Sequence, residues 1–73
     1  MDYVKMVAEM YRKRIADGMP VNQARYFDFT HFQGVEYIEL QKMRKYLKEN
    51  GYIEQSYKMG FLISKAVAES FED

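Results

Sequence analysis

Apolar positions recur with a helical period over two stretches of the chain. Between Gly34 and Gly51, Leu40, Met43 and Leu47 fall at i, i+3 and i+7. At about 100° per residue this spacing puts them on one helix face, flanked by Tyr37 and Tyr46. The opposite face carries Ile38, Gln41, Lys42, Lys45 and Glu49, and Asn50-Gly51 supplies the left-handed residue that commonly ends a helix. From about Asp2 to Asp17 a second helix is predicted. Val4, Val7, Ala8, Tyr11 and Ile15 form its stripe, Tyr3, Met6 and Met10 widen it, and Gly18 is its stop. Methionines at this spacing are read as flexible core filling.

The pattern changes on either side of the central helix. Tyr52-Ile53 and Phe61-Leu62-Ile63 are β-prone and flank the polar stretch Glu54–Gly60, which predicts a hairpin with a loop of several residues. Ser64 then caps a short terminal helix. Met59, Leu62, Ile63, Ala66, Val67 and Phe71 also fit one long helix from about Ser56 onward, at a cost of about 1 kcal/mol for Gly60 inside it. The expected fold is therefore α+β, a small domain of helices with a C-terminal β-hairpin, with an all-α four-helix arrangement as the alternative. Residues 19–33 are ambiguous. Arg25 to Phe32 alternates like a strand, with Phe27, Phe29 and His31 against Tyr26, Asp28 and Thr30, yet Asn22 could cap a short helix burying Tyr26, Phe27 and Phe29. Thr30-His31-Phe32-Gln33 has capping-box form, but a break near Gln33-Gly34 is preferred.

Composition narrows the class. Seventy-three residues make a single domain with a marginal core, which seven tyrosines and five phenylalanines compensate by burying large areas. The chain has no cysteine, which removes disulfides and thiolate metal sites and suits a reducing cytoplasm. No apolar run approaches the roughly 20 residues that span a bilayer, and no signal-peptide core follows Met1, so no membrane association is expected. Formal net charge is zero, which withholds the simplest argument for nucleic-acid binding. The charges are nonetheless clustered: Arg12-Lys13-Arg14 and Lys42, Arg44, Lys45 and Lys48 are basic, while Glu69, Glu72 and Asp73 are acidic. Such clusters read equally as solvated helix faces or as a functional patch.

Parts for catalysis are missing. His31 is the single histidine and sits in an aromatic stretch, so neither a histidine metal cluster nor a nucleophile–base pair is expected. Glu36 and Glu39 lie three apart but lack further ligands, and acids at a helix start are favoured by the dipole in any case. No glycine loop cradles a phosphate. The expectation is no enzyme, no cofactor and no metal.

The order of helix, glycine stop and hairpin resembles the winged helix-turn-helix fold, most of all the DNA-binding domain of GntR-type transcription regulators. In that family the first helix begins with tyrosine and ends at isoleucine and glycine, as Tyr3, Ile15 and Gly18 do here. The family's recognition helix opens with Gly-Val and leads through Gly-aliphatic-Ile into a wing, and Gly34-Val35, Gly51, Ile53, Gly60 and Ile63 stand at the same spacing. The resemblance covers about four-fifths of the chain. It departs at the reading end, where Glu36, Tyr37, Ile38 and Glu39 replace serine, arginine and threonine, and at the wing tip, where Ser56, Tyr57, Lys58 and Met59 replace arginine and glycine. The segment between the first helix and Gly34 is also shorter, and the family's large effector domain is not expected here.

Two function classes follow. The resemblance implies a small transcriptional regulator that binds double-stranded DNA, with Gln41, Lys42 and Lys45 approaching the major groove, Tyr37 at the leading end and Lys58 on the wing. Zero net charge and the acidic helix start favour instead a protein-interaction module, an inhibitor or antirepressor, with Tyr37, Ile38, Tyr57 and Met59 as its surface. A homodimer is compatible with either.

Overall fold

In the computed structural model, which describes residues 2–72, every predicted stop between helix and strand is occupied by the residue the sequence nominates. Helix α1 spans Tyr3–Ala16, and the Asp2 carboxylate caps it by accepting from the Lys5 N–H at 3.0 Å. It ends through Asp17 and Gly18, whose φ of 90° is the left-handed conformation that glycine adopts without strain. Val7, Ala8 and Tyr11 are buried, and Tyr3, Val4, Met6, Met10 and Ile15 pack around them. The methionines are thus core filling.

The ambiguous segment resolves into three short pieces instead of one strand or one helix. Helix α2 is a single turn, Val21–Ala24, started by Pro20, and strand β1 follows at Tyr26–Asp28. Phe29–His31 then forms a 3-10 turn. Its capping box lies earlier than the Thr30–Gln33 pattern suggested. Asp28 accepts from the Thr30 N–H at 2.9 Å, and the His31 ring accepts from the Asp28 N–H at 3.0 Å. Asp28 wins because a carboxylate is the stronger acceptor for backbone N–H groups. The break near Gln33-Gly34 is present, with Gly34 at φ 79°.

Helix α3 runs Tyr37–Glu49 and buries Leu40, Met43 and Leu47. Its start has no side-chain cap, since Glu36 occupies the cap position without a hydrogen bond. Gly51 ends it, and strands β2 (Ile53–Tyr57) and β3 (Gly60–Ile63) pair antiparallel. The turn between them is only Lys58-Met59, shorter than the loop expected from the polar run. Residues 54–57 are solvent-exposed, so the alternation that marks a half-buried strand is missing there. The long-helix alternative, and with it the all-α fold, is excluded: Ser64 caps a separate helix α4, Lys65–Phe71, accepting from the Val67 N–H.

The sheet order β1-β3-β2 makes β3 the central strand. Phe61 stacks on Phe27 across the β1–β3 ladder at 5.6 Å and 18°, and both are fully buried. Tyr11, Met43, Leu47, Ile63, Ala68 and Phe71 close the core from the helices and β3. Among the described residues the architecture is a small α+β domain of four α-helices and a three-stranded antiparallel sheet.

Two stability outcomes follow from this packing. Leu47→Ala is expected to cost about 2 to 5 kcal/mol, as for other large-to-small core changes, and Lys45→Ala within about 0.5 kcal/mol; equal losses in chemical denaturation would mean that the faces of α3 are reversed. Gly60→Ala should be at least as damaging as the leucine change, because a Cβ there would lie 2.4 Å from the Phe27 carbonyl oxygen. Urea titrations of the two variants check the order.

Candidate functional site

Angles on the α3 helix separate its exposed side chains into three groups. Ile38, Gln41, Lys42, Lys45, Lys48 and Glu49 form a stripe pointing away from Leu40, Met43 and Leu47, and all six are exposed. Ile38 is the most exposed large apolar residue among the described residues, at 57%. Tyr37 and Arg44 lie on the flank toward the hairpin. Glu39 and Tyr46 lie on the flank toward α1, where both meet Tyr3.

The hairpin flank is stitched to α3 by Arg44. Its guanidinium donates to the carbonyls of Tyr57 and Lys58, the latter at 3.2 Å, and sits 5.0 Å from the Phe29 ring centroid. Phe29 in turn donates its N–H to the Met59 carbonyl at 2.8 Å and meets the Tyr37 ring edge-on at 5.7 Å. Carbonyls of a two-residue turn otherwise face water, and a cation that binds two of them fixes the turn relative to the helix. The exposed Lys58 and Met59 are thereby held at one end of the α3 surface.

The α1 flank gives Glu39 partners that the helix pattern alone does not predict. Glu39 is not aligned with the outward stripe. It accepts a hydrogen bond from the Tyr3 hydroxyl at 3.1 Å and pairs with Lys42 at 3.5 Å. Desolvation, with the Glu39 carboxylate as acceptor, raises the Tyr3 phenol above its ordinary pKa. Lys42 is exposed at the border between this flank and the outward stripe, and its pair with Glu39 is of the kind worth little. Glu36 is the one carboxylate of the pair left exposed at the leading end. Lys45 has Glu49 at 4.0 Å, an exposed pair of the kind worth little.

Tyr57 is placed differently from the expected surface as well. It gives α3 its carbonyl, whereas its ring packs edge-on against Tyr26 at 5.8 Å, across the backbone of Gly60. Of the expected residues, Tyr37, Ile38, Gln41, Lys42 and Lys45 share one surface that Lys58 adjoins, while the Tyr57 ring packs against Tyr26. Arg44, Phe29 and Lys48 belong to this region and were not singled out as site residues. Arg44 and Lys48 were visible as members of the basic cluster, but their directions depend on the fold.

Among the described residues no group of three or more acidic or histidine side chains is placed to hold a metal ion, and no helix is long and apolar enough to cross a membrane. Comparison with protein-family models, curated proteins and solved structures found no match.

Arg44→Ala should release the hairpin tip without unfolding the core. The expected outcome is faster amide hydrogen exchange at Met59 and Gly60, with protection at Phe61 and Ile63 retained. Unchanged exchange at the tip would show that Arg44 does not hold it.

Proposed function

We propose that the domain is a small DNA-binding regulator of winged helix-turn-helix type, with the Ile38–Gln41–Lys45–Lys48 stripe of α3 facing the major groove and Lys58 on the wing meeting phosphate. The observation that carries this reading is the joining of the exposed α3 face to the hairpin tip through Arg44. A groove-reading helix and a wing must present one continuous surface to a duplex, and this contact supplies the continuity. The order of α3 followed by a hairpin, within a β1-β3-β2 sheet, supports the same reading. So does the diversion of Glu39 to Tyr3 and Lys42, because it takes one carboxylate off the surface that meets a polyanion and leaves Glu36 and Glu49 there.

The segment before α3 differs from a full helix-turn-helix. A single 3-10 turn precedes α3, so the helix is steadied by Tyr3 on one flank and by Phe29 and Arg44 on the other. Phosphate affinity at neutral net charge is modest, and the binding is strongly salt-dependent.

A second reading, a protein-interaction module, is favoured by one specific observation. Tyr37 and Ile38 are 49% and 57% exposed beside Met59 at 42%, and Lys45 has an acidic neighbour in Glu49. Exposed aromatic and aliphatic residues of this kind anchor protein interfaces.

Fluorescence anisotropy with random duplex DNA at low salt separates the readings. Binding is expected, with the salt slope reduced by about 0.9 for each phosphate contact removed by Lys48→Ala or Lys58→Ala. Glu36→Gln should tighten binding and Glu39→Gln should change it less. A folded sample that shows no binding at low salt would reject the DNA reading. Loss of a protein partner on Tyr37→Ala or Ile38→Ala would then support the second.

A further inference from the structure

The single histidine, which has no part in the proposed interface, occupies an unusual position among hydrogen-bond donors. His31 Nδ1 lies 3.0 Å from Arg14 Nη2 and 3.0 Å from the Asp28 backbone nitrogen. Both partners can only donate, since a guanidinium keeps its protons at any ordinary pH and a backbone amide nitrogen has no free lone pair with which to accept. Nδ1 must therefore carry a lone pair, and the neutral ring holds its proton on Nε2. A proton added at Nδ1 would face two donors and a fixed positive charge.

The geometry points to His31 as an acid-sensitive latch: the neutral imidazole holds the 3-10 turn in place, and its protonation releases the turn and with it the contacts to the hairpin tip and the leading end of α3. The groups facing the ring come from two elements, α1 and β1. Arg14 of α1 is fixed by donating to the carbonyls of Ala24 at 3.2 Å and Tyr26 at 2.6 Å, with its Cζ 4.4 Å from the Phe27 ring centroid, so it cannot retreat cheaply. Tyr26 of β1 presents its ring edge-on at 6.3 Å. Asp28 is the one acid nearby, and it favours the protonated ring. Its oxygens are already engaged by the Thr30 N–H and hydroxyl, both at 2.9 Å, and by the Tyr26 hydroxyl at 3.1 Å. Protonation at Nδ1 removes the acceptor of the Asp28 N–H, so the ring's half of the capping box is lost even where the imidazolium turns to the Asp28 carboxylate.

Release of the turn matters beyond the turn itself. Phe29, its first residue, donates to Met59, meets Tyr37 and lies under Arg44. Desolvation and then the Arg14 charge lower the His31 pKa, with Asp28 opposing them. A lowered value in the folded state means that the unfolded chain binds the proton more readily. The contribution is complete above the ordinary histidine value of about 6.5 and is lost as pH falls through the folded value.

An NMR titration of the isotopically labelled chain from pH 7.5 to 4.5 tests this without any binding partner, so it stands or falls separately from the DNA reading. The expected result is an Nε2–H tautomer at neutral pH, a His31 midpoint below 6.5, and Phe29, Tyr37 and Met59 amide shifts that follow the same midpoint. His31→Asn keeps an acceptor near the Nδ1 position and does not titrate, so these shifts should vanish in it. A midpoint at or above 6.5, static Tyr37 and Met59 amides in the wild type, or shifts that persist in His31→Asn would each overturn the latch.

Discussion

The stacked pair of Phe27 and Phe61 is the contact on which the rest of the domain depends. It joins the N-terminal half, where Phe27 lies in β1, to the C-terminal hairpin, where Phe61 lies in the central strand β3. The two rings can approach because Gly60 brings its backbone against that of Phe27 and Asp28 with no side chain between them. Once β3 is seated, β2 pairs on its other edge, and α1, α3 and α4 each find an apolar surface to cover. A domain this small has little core to spare, so one long-range aromatic contact has a large share in its stability.

The candidate α3 surface is a consequence of that seating. Because β3 fixes the hairpin, its tip arrives beside α3, and Arg44 can bind the turn carbonyls while it stacks over Phe29. Arg14 does the parallel task on the other side. It gathers the carbonyls of Ala24 and Tyr26, the face of Phe27 and the His31 ring around one guanidinium. Two arginines thus convert short, weakly specified segments into a defined support for α3. Arg25 adds a third tie, donating to the Ile63 carbonyl at 3.0 Å from a nearly buried position.

Much of this was legible in the sequence, and the exceptions have physical causes. The helices carrying Val7–Tyr11 and Leu40–Leu47 were readable because their stripes persist over several turns and Gly18 and Gly51 mark their ends by conformational need, and Ser64 marks the start of α4 by its capping hydroxyl. Residues 19–33 were not, since each of α2, β1 and the 3-10 turn is too short to display a period. The hairpin was readable as a hairpin, but its length was not, because the strand residues of β2 are exposed and polar. At the site, a helical wheel assigns a direction to Glu39 and Arg44 but no neighbour. Tyr3 and the turn carbonyls, both distant in sequence, decide what these two side chains do.

The most direct test of the account is an amide chemical-shift map of the labelled domain with a short random duplex at low salt. The account predicts perturbations centred on Tyr37, Ile38, Gln41, Lys45, Lys48 and Lys58, with α4 and the outer face of α1 silent. Perturbations centred on α1 or α4, or none at all, would contradict it.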